Sequence, residues 1–159
     1  MDIVTDAVKL LGTPMGPDSG RITAMALDTV TKHNPFFEAL ADPEMPRPVA
    51  GRLLRLSGVP RLNFLTRVGY QGEYQAALRR FDRNVVGTAA SLFIDEPEDL
   101  DPKLKEQATK PLKHAGLGLT RMEEIAPFAW WGAMANAAYH LRRLFPDALP
   151  DRLNNELGA

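Results

Sequence analysis

Thirteen prolines interrupt this 159-residue chain. Proline lacks the N–H that an interior helical position donates, and its ring collides with the carbonyl four residues back. A chain punctuated in this way builds from short helices with frequent breaks. Its length suffices for one domain with a real core, because chains of this size bury roughly 70% of the surface they expose when unfolded. A hydrophobic fraction of 45% and a charged fraction of 25% are those of an ordinary globular protein and argue against disorder of the whole chain.

Between the breaks the apolar period is helical. The clearest amphipathic segment is Glu73 to Phe93, with Ala77, Leu78, Phe81, Val85, Ala89 and Leu92 along one side and Arg79, Arg80 and Arg83 away from it. Gly87 costs a helix about 1 kcal/mol against alanine, so a close packing contact is expected there. An earlier helix is predicted from about Arg21 to His33, capped by Asp18 or Ser19 and apolar at Ile22, Met25, Ala26, Thr29 and Val30. Val49 to Leu56 reads as a helix with Leu53, Leu54 and Leu56 inward. Ser57-Gly58 ends it, and Pro60 opens another through Leu62, Phe64 and Leu65. Asp101 is placed to cap a short helix over Lys103 to Thr109, and Asp147 to Leu157 reads as a tail helix.

The last long helix begins at Thr120 or Arg121. Glu123 and Glu124 stand in its first turn and Arg142 and Arg143 near its end, the signs that the helix dipole favours. Its most apolar run, Ile125 to Ala138, is shorter than the ~20 residues that span a bilayer. It reads as a buried core helix, with Trp130-Trp131 packed inside. At the other end, Ile3 to Leu11 reads as a short strand and the glycine- and proline-dense Leu11 to Pro17 as a break. The expected fold is mainly α, a short-helix bundle with one short N-terminal strand. It forms a single domain over 1–159: a leading segment over 1–17, helices over 18–93, an acidic loop and glycine-rich link over 94–119, and C-terminal helices over 120–159.

The residue inventory excludes several chemistries. Without cysteine there is no disulfide, thiolate metal site or cysteine nucleophile. His33, His114 and His140 are too scattered for a zinc site, although His114, in the glycine-rich link, is within the repertoire of phosphate contacts. No paired carboxylates are disposed for two-metal catalysis, and Ser57 and Ser91 lack the setting of a hydrolase nucleophile. Gly12-x-x-x-Gly16 is not followed by the lysine of a phosphate loop. The acidic stretch Asp95, Glu96, Glu98, Asp99, Asp101 lacks the spacing of a calcium loop and reads as solvated. No catalytic residue, metal or cofactor is therefore expected. The start of the chain does not read as a secretory signal, and the expected setting is intracellular, with no membrane.

A formal net charge of −1 gives no global pull toward nucleic acid. The distribution is more telling. Arg47, Arg52, Arg55, Arg61, Arg67, Arg79, Arg80 and Arg83 fall in one segment where Glu73 and Asp82 are the only acids. Guanidinium forks match phosphate geometry, and helical spacing aligns Arg79, Arg80 and Arg83 on one flank. The alternative is a solvated face paired with the acidic loop.

Five segments, in order, resemble a known pattern. Val8-Lys9-Leu10-Leu11-Gly12-Thr13-Pro14-Met15-Gly16 is similar to the "LG-x-P-x-G" that follows the palm in reverse transcriptases of non-LTR retrotransposons. The run from Leu53-Leu54-Arg55 through Ser57, Pro60-Arg61 and Leu65 to Arg67 resembles that family's "LLR-x-S-x-x-P-R-x-x-Y-L-x-R" helix pair. Phe81-Asp82 resembles the "FD" of the next helix. Gln107-Ala108 through Pro111-Leu112 to Ala115-Gly116-Leu117-Gly118-Leu119 resembles "Q-A-x-x-P-L-x-x-G-G-L-G-L", with Ala115 where the pattern has its first glycine. The alanine-rich helix beyond it also fits, so the likeness extends over about Val8 to Ala138. The fingers and palm have no counterpart here. What the resemblance implies is a thumb-like helical region over 18–93 that grips the backbone of RNA or an RNA–DNA duplex, is not an enzyme on its own, and has Arg55, Arg61 and Arg67 at matching arginine positions. With Arg79, Arg80 and Arg83 these are the candidate nucleic-acid-binding residues. The competing reading is a helical protein-interaction or scaffold module, docking a protein partner or a second copy through Trp130 and Trp131 or Phe36 and Phe37.

Overall fold

The computed structural model describes residues 6–10, 12–69, 71–94 and 102–144. Two short strands, β1 (Val8–Leu10) and β2 (Thr13–Met15), pair antiparallel with Leu10 opposite Thr13. The expected single strand is thus half of a hairpin, and the stretch expected as a break supplies the other half. Gly12 makes the two-residue connection possible, because its φ of 89° lies in the left-handed region. Pro14 is tolerated because a two-stranded ribbon leaves one side of each strand without a ladder.

Helix α1 (Ser19–Thr31) starts at Asp18, whose carboxylate accepts from the Arg21 amide at 2.9 Å. It buries Ile22, Ala26 and Val30. Helix α2 (Asn34–Leu40) opens with Pro35 near its first position and buries Phe37 and Leu40. Helix α3 (Arg47–Leu53) does not stop at Ser57-Gly58 as expected. The turn widens instead, so that the Val59 amide donates to the Leu54 carbonyl five residues back. A tight turn over Val59–Leu62 then leads into α4 (Asn63–Val68). Pro60 is the cause: it cannot donate to the Leu56 carbonyl and its ring would strike it, so the helix opens before the proline and tightens after it.

Of the three leucines expected inward, only Leu54 is buried; Leu53 and Leu56 are exposed. Successive helical positions turn by about 100°, so one face cannot bury all three. Phe64, also expected within an apolar unit, is half-exposed.

Helix α5 (Gln71–Phe93) is the central element, against which α1, α2, α3 and a later helix, α7, all pack. Its predicted stripe of Ala77, Leu78, Phe81, Val85, Ala89 and Leu92 is buried throughout. Phe81 is fully enclosed, with the Phe37 ring edge-on at 5.6 Å. Gly87 lies on the outer face, and a Cβ there would meet nothing within 4 Å, so no packing contact explains it. Helix α6 (Pro102–Thr109) and a short turn over Leu112–His114 lead to α7 (Met122–Leu144), which packs on α4 and α5. The architecture is the expected mainly α bundle of short helices, with a small N-terminal ribbon. The acidic stretch Asp95 to Asp101 and the tail Asp147 to Leu157 lie outside the described residues. Among those described, no helix is long and apolar enough to cross a membrane.

Candidate nucleic-acid interface

The outer face of α5 is built by spacing alone. Ala76, Arg79, Arg80, Arg83 and Gly87 recur at intervals of three and four residues, and all are exposed. Between Ala76 and Gly87 the face runs for about 16 Å at 1.5 Å per residue. Its small flanking residues leave the guanidinium groups unobstructed. Arg79 is engaged: its Nε donates to the Glu123 carboxylate of α7 at 2.7 Å. That pairing joins two long helices, not a helix and the acidic loop. Arg80 and Arg83 have no ion pair among the described residues.

The other three candidates are not gathered onto this face. The Arg61 guanidinium stacks over the Phe36 ring at 3.8 Å. Its charge also acts on His33, whose pKa lies below the ordinary value first because the ring is desolvated and then because Arg61 is near. Arg55 is half-buried and, with Arg52, lines a cleft of about 220 Å³ whose walls include Leu54, Phe93 and Leu117. Arg52, not singled out by the pattern of motifs, belongs with Arg55 through their i, i+3 spacing. Arg67 is exposed in the last turn of α4. Phe36 and Phe37, candidates for docking a partner, are committed inward: Phe37 is core and Phe36 lies between it and Arg61.

Contacts made by or to the motif segments hold the backbone together. The Tyr74 hydroxyl donates to the Pro14 carbonyl and pins the hairpin to α5. Burial, and then the Glu73 charge beside it, push that phenol up to about 12. The Asp82 carboxylate is buried and accepts from the amides of Met122 at 2.8 Å and Glu123 at 3.0 Å. It therefore caps α7 from α5, accepting from two amides of the first turn of α7. Burial raises the Asp82 pKa, while the two amides and Arg121 pull it down.

The glycine-rich link closes on itself. Gln107 Nε2 donates to the His114 carbonyl at 2.8 Å, and the Ala108 carbonyl accepts from the amides of Leu117 and Leu119, both at 3.2 Å. A Cβ at Gly116 would run into the Lys110 carbonyl oxygen. Ala115 takes a left-handed conformation, φ 57° and ψ 26°. The side chain of His114 is exposed at this turn.

Among the described residues, no group of three histidines or carboxylates is placed to hold a metal ion. The outer face of α5 is cationic at Arg79, Arg80 and Arg83. Comparison with known protein families, with curated proteins and with solved structures finds no match to this chain.

Proposed function

We propose that the chain is a non-catalytic, thumb-like helical element of the kind that follows the palm in non-LTR reverse transcriptases, and that it holds the backbone of an RNA or RNA–DNA duplex against the outer face of α5. The observation that carries this reading is the exposure of Arg80 and Arg83, adjacent to Arg79, on a smooth helical face with no ion pair among the described residues. Phosphate contacts from such a face position a duplex without reading bases. The left-handed backbone at Ala115, where the family's pattern has glycine, supports the resemblance independently of charge.

Fluorescence anisotropy with a labelled RNA–DNA hybrid at two salt concentrations tests the proposal. The wild-type chain is expected to bind weakly and to lose affinity steeply with salt. Replacing Arg80 and Arg83 together by glutamine leaves the Arg79–Glu123 pair intact and should flatten the logarithmic salt slope by about 2, since each neutralised phosphate releases about one counterion. No binding at low salt, or equal slopes for the two proteins, overturns it. One observation favours a second reading, a protein-interaction module without nucleic-acid contact: the exposed aromatics of α7.

A further inference from the structure

Arg55 occupies a motif position, yet it lies away from the outer face of α5. Three segments meet around it: α3 with the wide turn that follows, the end of α5, and the glycine-rich link. A Cβ at Gly51 would stand 2.7 Å from the Phe93 ring, so glycine there lets the ring lie against the α3 backbone. Gly118, with φ at 68°, carries the link past the Arg55 stem, where a Cβ would stand 3.6 Å from Arg55 Cδ. Between these approaches lies the cleft of about 220 Å³.

Among the described residues that line this cleft, the only polar side chains are Arg52 and Arg55, and none is acidic. Neither arginine has an ion pair among the described residues. The amides of Leu117 and Leu119 already donate to the Ala108 carbonyl, and that of Gly118 to the Lys110 carbonyl. The link therefore contributes apolar side chains to the cleft and not donors. Two guanidinium groups beside an apolar hollow select a ligand with both characters. Their forks match an oxyanion, and the walls favour an apolar body. The volume exceeds the ~150 Å³ cavity that admits one benzene ring and falls short of the ~300 Å³ at which drug-sized sites begin. A nucleobase of that size would bring amino and carbonyl groups that the walls leave unpaired, which costs affinity.

We propose that this cleft binds a small amphipathic carboxylate, a short alkyl chain or single ring lying against Phe93, Leu112 and Leu117 with its carboxylate held by Arg52 and Arg55. A ligand of about ten heavy atoms bound in this way has a dissociation constant on the order of 0.1–1 mM. The site is separate from Arg80 and Arg83 and does not rest on duplex binding.

Titration of the full chain with octanoate, followed by calorimetry and by the leucine methyl signals in NMR, tests this. Saturable binding is expected, with the largest shifts at Leu54, Leu112 and Leu117. Octanol, which keeps the chain and lacks the charge, and acetate, which keeps the charge and lacks the chain, should each bind at least tenfold more weakly. Replacing Arg52 and Arg55 together by glutamine should weaken octanoate at least tenfold, with thermal unfolding of the unliganded protein unchanged. A second pair of variants is independent of the arginine stems. Leu112 is 60% exposed, so Leu112→Asp and Leu112→Asn should both fold, and the aspartate should bind octanoate about tenfold more weakly than the asparagine. No saturation by about 20 mM, shifts centred elsewhere, octanol binding as tightly as octanoate, or equal affinity in the two Leu112 variants overturns the proposal. So does octyl phosphate binding at least tenfold more tightly than octanoate, which would assign the head group to phosphate.

Discussion

Helices α5 and α7 are both 23 residues long, and their fates differ. In α5 the apolar residues form one stripe, neighbours cover that stripe, and the remaining face is cationic. In α7 the apolar residues encircle the helix, and among the described residues its main partners are α4 and α5, with Phe128, Trp131 and Tyr139 left exposed. Burial is thus decided by how much covering surface the rest of the chain supplies, not by apolar content alone. A helix that is apolar all round with neighbours on one side presents the surplus outward.

The largest expected effect sharpens this contrast. Phe81→Ala in α5 should cost about 3–5 kcal/mol, because it empties a fully enclosed site against Phe37. Phe128→Ala in α7 should change stability by no more than about 0.5 kcal/mol. Urea unfolding of both variants decides the matter, and similar losses would erase the distinction between the helices.

Next in size is the contact that ties the two helices together. Asp82→Ala should destabilise the fold by about 2 kcal/mol, since it leaves the Met122 and Glu123 amides without their acceptor. Hydrogen exchange at those two amides should quicken more than exchange at the buried centre of α5. Unchanged protection there would mean that α7 is held by packing alone.

The smallest effect lies in the link between them. Ala115→Gly should raise stability by about 0.5–1 kcal/mol, because alanine bears a left-handed backbone that glycine adopts without a Cβ clash. A higher urea midpoint with an unchanged slope is the expected signature. A lower midpoint would show that the Ala115 methyl, beside a small apolar cavity lined by Val86, Ala108 and Leu117, contributes more by packing than it costs in strain.

Much of the fold was legible because local rules act within a few residues. The stripe of α5 follows from its 3.6-residue period, the start of α1 from Asp18, and the end charges of α7 from the dipole. The outer arginines of α5 were legible for the same reason. Elsewhere the outcome depended on partners distant in sequence. Nothing near Met122 announces that its amide is capped by Asp82, forty positions back. Nothing near Arg79 or Arg61 announces Glu123 or Phe36, which withdraw two of the six candidate arginines into structural contacts. The hairpin escaped because glycine and proline mark turns more strongly than they mark the strand between them. By itself, the sequence determined that α1, α5 and α7 are helical and which side of α5 is charged, because both are properties of neighbouring residues. Only the tertiary structure decided that Trp131 faces outward and Asp82 inward, because burial depends on the surface that other segments bring to a side chain.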